Sequence, residues 1–193
     1  VRSGQQVRTM NMLVMASHRQ GHVVNTPPAL RADEMHGYAG AFVLDPIRGL
    51  HPDPVLVLDF ASLYPSIIQA KNLCFSTWID ASAQLPPWLS HDERVNTFQI
   101  GPGVSTCFVA PTVQKGVLPK LCAQLLASRK ATKTKMAAVE KGSDEHTLLD
   151  GRQLALKVMC NCVYGFLGAA SHGKMAQPAV AATVTSVGRE MIL

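Results

Sequence analysis

The sequence predicts an α+β fold in which a pair of helices is inserted into a region of strands. Apolar runs bounded by prolines and aspartates predict strands at 38–44 and 54–60. Residues 118–140 contain few helix breakers and show helical periodicity, and a second helix is predicted at about 150–164. A turn at 141–144 separates these two helices, so we expect a helical hairpin between the strands and the end of the chain.

The other elements follow from apolar periodicity and from the positions of proline. Periodicity does not decide between helix and strand in the first apolar segment. Pro65 is compatible with a helix only in its first turn, which limits where that helix can begin. In chain order we predict a helix or strand at 5–16, a helix from about 61, a loop at 80–104, a strand at 105–110 and a last helix at 179–193.

The composition excludes several classes of protein. Of 193 residues, 47% are hydrophobic and 16% charged, so the chain can build a core and is not disordered throughout. The net charge of +5 permits a polyanionic partner. No apolar run reaches the roughly 18 residues that a membrane span needs, so no membrane partner is expected. Because the chain does not begin with Met and stops within an apolar stretch, we expect a piece of a longer protein.

Cysteine and histidine spacing does not predict a zinc site. The five cysteines are irregularly spaced without a pair of CxxC motifs, and the seven histidines are scattered. We therefore expect free, buried thiols in a reducing compartment.

A basic stripe marks the first helix of the predicted hairpin. Between 115 and 139 there are six basic residues and no acidic one, which by composition alone is equally typical of a solvated helix face. At about 100° per residue, Arg129 and Lys133 continue an apolar stripe, whereas Lys130 and Lys135 point elsewhere. Cations on an inward face either meet an anion or extend their charged ends to water. The apolar members of the stripe are Cys122, Leu125, Leu126 and Met136.

The second helix carries a polar stripe of the same kind. Lys157, Asn161 and Tyr164 are spaced i, i+4 and i+7, so they share one face. A polar stripe of this kind is usually a solvent-exposed surface. Cations on the inward stripes of both helices favour a phosphate-rich ligand between them.

Asp59 supplies an acidic counterpart at the end of the apolar run 54–60. A carboxylate at this position either caps the next helix or binds a hard metal ion, and position alone favours the cap. Mg²⁺ in proteins commonly takes one or two carboxylates together with substrate phosphates, which suits an Asp facing a cationic hairpin. The turn after Asp59 also offers backbone N–H groups to phosphate oxygens.

Two motifs give these residues a family resemblance. DFASLYPSII, which begins at Asp59, resembles the DxxSLYPSII motif of family B DNA polymerases, and KVMCNCVYG, which begins at Lys157, resembles their KxxxNxxYG motif. YAGA at 38–41 resembles the YxGG/A element. Further stretches at 4–8, 72–77 and 181–185 resemble herpesviral DNA polymerase catalytic subunits, and the resemblance covers nearly the whole chain.

The resemblance implies a palm domain that carries the metal site and a fingers domain that grips the nucleotide. It divides the chain into palm (1–113, with the first motif), fingers hairpin (114–168, with the second motif) and a return to the palm (169–193). The implied fold is a palm β-sheet with an inserted α-helical fingers hairpin.

The resemblance also implies a role for each matching residue. Asp59, helped by the Phe60 carbonyl, would hold two catalytic Mg²⁺ ions. The N–H groups of Leu63 and Tyr64 would meet the triphosphate, and the Tyr64 ring would exclude a ribose 2′-hydroxyl. The phosphates would be bound by Arg129, Lys133 and Lys157 with support from Asn161. The DNA contacts would come from Tyr38, Gly40, Tyr164 and Gly165.

The implied activity is template-directed transfer of dNMP from a dNTP to a primer 3′-hydroxyl in viral DNA replication. The implied partners are primer–template DNA, a dNTP and a viral processivity factor bound through other regions, and the implied location is the host nucleus. The YGDTDS-type motif with the second metal-binding Asp does not occur, so the piece alone is expected to be inactive.

Two alternatives stay open. One is a non-catalytic basic module that holds nucleic acid, and the other is a structural segment whose cations only extend to water. Asp59 discriminates, because neither alternative has a use for a carboxylate facing polyanions.

Overall fold

The computed structural model describes residues 4–24, 39–80, 87–89, 92–168 and 177–193. Its helices are α1 Gln5–His18, α2 Leu63–Ala70, α3 Val117–Ala137, α4 Asp144–Gly168 and α5 Pro178–Ile192. Its strands are β1 Trp78–Ile79, β2 Val95–Gly101 and β3 Val104–Val109, with short 3-10 turns at Pro87–Leu89 and Asp92–Arg94. None of the helices in the described ranges combines the length and the apolar character that crossing a membrane requires.

The three strands form an antiparallel sheet in the order β1-β3-β2. β2 and β3 make a hairpin in which Thr97 faces Cys107, and its turn contains Gly103 at φ +70°. The predicted strand at 105–110 is confirmed, but the predicted loop at 80–104 is wrong over β2. Gly101, Pro102 and Gly103, which suggested a loop, lie at the end of β2 and in its hairpin turn, whereas Pro87 lies in a 3-10 turn that precedes the strand.

The predicted helical hairpin is confirmed in α3 and α4. The turn lies where it was predicted, and α4 is longer than predicted at both ends. At its start the Ser143 hydroxyl accepts the His146 N–H at 3.2 Å, and acidic residues occupy the first turn, where the helix dipole favours them. At its other end α4 continues through Gly165, because Phe166 and Leu167 bury their side chains in the core.

The first apolar segment is a helix, α1, and the predictions of α2 and α5 are confirmed. Pro65 lies in the first turn of α2, as its missing N–H requires. All five cysteines are free thiols as expected, but only Cys74, Cys122 and Cys160 are buried, whereas Cys107 and Cys162 are half-buried. The helices enclose one core with β3, and its largest fully buried side chains include Leu13, Ile68, Leu73, Phe108, Leu118, Val163, Leu167, Val180 and Val184.

Asn72 ties three separate segments to one buried point. Its Nδ2 donates to the carbonyls of Val109 and Gln114, each at 2.8 Å, and its Oδ1 accepts the Gly116 N–H at 2.9 Å. Asn72 is fully buried and adopts φ +55°, a left-handed conformation that asparagine tolerates better than most residues. The amide therefore joins the residue after α2 to the end of β3 and to the start of α3.

The neighbours of Asn72 cap the first turn of α3. The Val117 N–H donates to the Ser76 hydroxyl at 3.2 Å, and the Leu118 N–H donates to the Cys74 thiol at 3.3 Å. These bonds satisfy amide groups that a helix start otherwise leaves unpaired. A Cβ at Gly116 would lie 2.6 Å from the Cys74 Cβ, so only glycine fits there. We call residues 72–77 and Gly116 the hairpin base.

The predicted strands at 38–44 and 54–60 are not formed in the described residues 39–60. These residues are exposed and have no regular secondary structure, and Leu56 and Leu58 are 83% and 84% exposed. A strand needs a hydrogen-bonding partner, and no other described strand pairs with this segment. Its apolar pattern is typical of a strand, but the described residues contain no partner strand for it.

Candidate functional site

Asp59 ends the exposed segment three residues before the N-cap of α2. The N-cap is Ser62, at φ 57°, and no side chain caps this helix, so the capping role that position favoured for Asp59 is wrong. The Asp59 carboxylate is exposed, and Phe60 is 45% exposed. Both groups are accessible to a ligand.

The first turn of α2 presents backbone donors beside Asp59. Leu63 and Tyr64 are the first two residues of the helix, so their N–H groups have no hydrogen-bond acceptor within the helix. The Ser66 hydroxyl donates to the Ala61 carbonyl at 3.0 Å and so fixes the turn. With no side chain capping the helix, these amides can donate to an anion.

An open groove of about 530 Å³ runs between α3 and the start of α2. Arg129 and Lys133 line it, as does Ser62, so the structure brings these two predicted cations to the start of α2. Lys130 lines it as well, which corrects the prediction that this residue points elsewhere. Arg129 is half-buried, whereas Lys133 is exposed. We call this space the α2–α3 groove.

Arg129 is held by a residue that the sequence analysis missed. Its Nε donates to the Gln153 Oε1 at 3.3 Å, and the Gln153 Nε2 donates to the Asp150 carboxylate at 2.9 Å. This bond across the hairpin leaves the terminal nitrogens of the guanidinium for other acceptors. Spacing could have identified Gln153, because it lies one turn before Lys157 on the same stripe.

The buried thiols of Cys122 and Cys160 do not neutralise the charge of Arg129. Burial raises the pKa of Cys122 to about 12, with smaller contributions from Cys160 and Cys74. Burial also raises the pKa of Cys160, although the Arg129 charge opposes this. Both thiols are therefore uncharged at neutral pH, and the cation stays available to an external anion.

On α4 the predicted residues divide into an exposed group and a ring contact. Lys157, Asn161 and Gly165 are exposed, and the first two do not line the α2–α3 groove. The half-buried Tyr164 packs its ring against Tyr64, with 4.4 Å between the ring centroids and 43° between the ring planes. This contact joins α2 to α4 at the site.

Gly40 is tied to α5 by residues that the sequence analysis also missed. The Arg189 Nη1 donates to the carbonyls of Ala39 and Gly40, each at 2.8 Å, and the Thr185 hydroxyl donates to the Ala39 carbonyl at 3.0 Å. Successive carbonyls of a strand point to opposite sides, so this double contact is incompatible with a regular strand here. Tyr38 lies outside the described residues.

The site fits a metal ion only in part. Asp59 offers one accessible carboxylate, and Mg²⁺ accepts one or two of these together with phosphate oxygens. Among the described residues no group of three or more His, Cys, Asp or Glu side chains could hold a metal ion. The arrangement therefore suits an ion that shares its ligands with a phosphate-bearing substrate.

Proteins of similar sequence align with this chain over nearly its full length. The DNA polymerase catalytic subunit of Human herpesvirus 8 type P (isolate GK18) is 44% identical over 190 residues, which cover 98% of this chain and 18% of that protein. The DNA polymerase delta catalytic subunit of Mesocricetus auratus is 39% identical over 189 residues, which cover 98% of this chain and 16% of that protein. The expected resemblance to herpesviral subunits is confirmed, and delta polymerases are similar as well.

A solved structure shares the fold. The family B DNA polymerase from the hyperthermophilic archaeon Pyrobaculum calidifontis superposes with a TM-score of 0.70 and 34% identity, over 98% of this chain and 23% of that one. This chain thus spans less than a quarter of the length of these similar proteins. A sequence model described as DNA polymerase family B matches residues 1–193. The chain belongs to DNA polymerase family B.

Proposed function

We propose that the full-length protein is a DNA-directed DNA polymerase that adds nucleotides to a primer on a DNA template. The observation that carries this proposal is the α2–α3 groove, where Arg129 and Lys133 meet the start of α2. Cations and free amides around one open space suit a triphosphate, whose charge is the largest on a dNTP. The herpesviral and delta relatives are named as DNA polymerase catalytic subunits, which supports the same reaction.

In the proposed reaction the primer 3′-hydroxyl releases its proton to water and its oxygen bonds to the α-phosphorus of the dNTP. The bond from that phosphorus to the oxygen that bridges to the β-phosphate breaks, and pyrophosphate leaves. Arg129, Lys133 and Lys157 neutralise the charge that grows on the leaving phosphates, and Asn161 supports Lys157. Gln153 positions the Arg129 guanidinium for this role, and the Leu63 and Tyr64 amides donate to the phosphates.

Tyr64 selects the sugar and Tyr164 the base pair in this proposal. The two rings are in contact, so one aromatic surface extends from the start of α2 to α4. A 2′-hydroxyl would collide with the Tyr64 ring, while Tyr164 and Gly165 adjoin the new base pair. Tyr38 and Gly40 contact the DNA, with the Gly40 carbonyl held by Arg189.

Asp59 and the Phe60 carbonyl would hold Mg²⁺ as part of a two-ion site. The two ions would make the primer hydroxyl more nucleophilic and would compensate the charge of the phosphates. The remaining protein ligands would come from outside residues 1–193. We assign residues 1–113 and 169–193 to the palm and 114–168 to the fingers. Viral DNA replication in the host nucleus, with a processivity factor, is the setting that we propose from the herpesviral relatives.

The test is Asp59→Asn in the full-length polymerase. This change keeps the size of the side chain and removes its charge, so primer extension should fall at least about a hundredfold while DNA affinity is kept. Asp53→Asn is the matched control, because Asp53 is exposed in the same segment. Extension at the wild-type rate by Asp59→Asn would exclude the catalytic role. A wild-type protein that binds DNA without extending a primer would favour the non-catalytic basic module.

A further inference from the structure

A second basic groove lies between α1 and α3, with a volume of about 670 Å³. Its cations are Arg8 and Arg19 from α1 and Lys120 from α3, and all three are exposed. No aspartate or glutamate lines it, and the described residues 4–24 contain none. All charged side chains that line the groove are therefore positive. We call it the α1–α3 groove.

The α1–α3 groove is separate from the proposed nucleotide site. Lys120 precedes Arg129 by nine residues, which at about 100° per residue places the two on opposite sides of α3. None of the residues that line one groove lines the other. A dNTP bound in the α2–α3 groove leaves these three cations without an anion.

Helix α1 presents a repeating pattern along this groove. Arg8, Met12, Met15 and Arg19 are spaced i, i+4, i+7 and i+11, so they form one stripe with an arginine at each end. The two arginines are roughly 16 Å apart along the helix axis. Met15 is 56% exposed between them and offers a soft apolar surface. An elongated ligand with spaced anionic groups and apolar faces matches this stripe.

Amide side chains add hydrogen-bonding groups to the lining of the groove. Gln20 lines the groove, and its Nε2 donates to the Ala16 carbonyl at 3.2 Å, while its Oε1 is buried and has no hydrogen-bond partner among the described residues. Asn11 and Gln124 add further amide groups to the lining.

We propose that the α1–α3 groove binds single-stranded DNA, namely the unpaired template strand ahead of the primer. This inference rests on the proposed polymerase function, which requires such a strand. The cations would bind its phosphates, the methionines its base faces and the amide groups its exposed base edges. Base edges are free to reach a groove floor in an unpaired strand, whereas in a duplex they are paired. No aromatic residue lines the groove, so binding should be strongly salt-dependent and show little preference for sequence.

The test compares two DNA substrates on the full-length polymerase. Both share one primer–template duplex, but one carries a long single-stranded template overhang and the other ends blunt. The triple variant Arg8→Gln, Arg19→Gln, Lys120→Gln should bind the overhang substrate roughly tenfold more weakly and the blunt duplex as the wild type does. The slope of log affinity against log salt for the overhang substrate should become shallower by about 2, or about 0.7 per lost cation.

The control removes three exposed cations that line neither groove, with Lys135→Gln, Lys141→Gln and Arg152→Gln. It should leave the difference between the two substrates unchanged. Equal losses on both substrates, an unchanged salt slope, or no loss on either would each overturn the proposal. The last result would mean that the groove is filled by another part of the polymerase. Primer extension is measured separately, so a wild-type protein that cannot extend a primer contradicts the proposed function and not this binding site.

Discussion

The helical hairpin and the segment 39–60 both carry residues of the proposed site, but they are held in different ways. The hairpin is fixed at its base, where Asn72, Ser76 and Cys74 bond to the start of α3, and along its length by packing of α3 on α4. The segment is bonded to α5 at Ala39 and Gly40, and its apolar side chains further along are exposed. The proposed phosphate-binding side of the site is therefore determined by packing within the described residues, whereas the position of Asp59 depends more on its local backbone.

Breaking the hairpin base should have the largest effect. Asn72→Leu removes three hydrogen bonds and leaves the Val109 and Gln114 carbonyls and the Gly116 N–H unpaired. Each buried unpaired group costs about 1–3 kcal/mol, so the loss of unfolding free energy should be at least about 3 kcal/mol. The urea midpoint of the full-length polymerase measures it, with the exposed Asn11→Leu as control. An unchanged midpoint would mean that the base does not hold the hairpin.

Removing one proposed phosphate contact from the hairpin should have the next largest effect. Lys157→Ala should weaken the apparent dNTP affinity by roughly ten- to a hundredfold, since a hydrogen bond to a charged group contributes about 1.5–3 kcal/mol. Primer–template affinity should stay within about twofold, because the hairpin itself remains folded. Steady-state extension and DNA-binding titrations measure the two quantities. Arg152→Ala, on another face of α4, is the control. A loss of DNA affinity alone would assign Lys157 to the DNA backbone.

Tyr64 lies between the hairpin and the segment 39–60, because its ring contacts α4 and its helix follows Asp59. Substituting it therefore tests how the two regions meet. Tyr64→Val should keep dNTP incorporation and relax discrimination against rNTPs by about tenfold or more, because the steric block is removed. Tyr64→Phe should discriminate almost as the wild type does. The ratio of kcat/KM for a dNTP and its rNTP is the measurement. If Tyr64→Val lost both activities together with thermal stability, the ring would be a packing residue.

Loosening the segment at its attachment to α5 should give the smallest effect. Arg189→Met removes the donor to the Ala39 and Gly40 carbonyls at an exposed position, and we expect about 1 kcal/mol or less of global stability to be lost. Locally, proteolysis near residues 39–41 should become faster. Arg94→Met is a matched control, because Arg94 also donates to an exposed backbone carbonyl, that of Trp88. Equal proteolysis of both variants would mean that Arg189 does not hold the segment.

The sequence was most informative where structure is local. Helical periodicity predicts α3 and α4, because the apolar stripe of a helix is set by residues three and four apart. The strand prediction at 54–60 failed for the opposite reason, since an apolar run becomes a strand only beside a partner. Strand β2 was missed because its flanking breakers belong to turns.

The residues of the candidate site also divide into those that local spacing predicts and those that depend on distant contacts. Arg129 and Lys133 were predicted from helical spacing, and the structure brings both to one groove. Spacing could also have identified Gln153, which lies on the stripe of Lys157. Arg189 could not have been found in this way, because its contacts with Ala39 and Gly40 join residues about 150 positions apart. The same holds for Asn72, whose partners at 109, 114 and 116 lie on other elements.

The fit of Gly116 at the hairpin base has a consequence for deuterium exchange. Its N–H is bonded to the Asn72 side chain instead of to a preceding turn of helix, and Cys74 packs so closely against it that there is no room for a Cβ. Fraying of α3 therefore leaves this proton in place, while detachment of the hairpin from residues 72–77 releases it. The exchange lifetime of this one amide thus records how often the hairpin separates from the rest of the molecule.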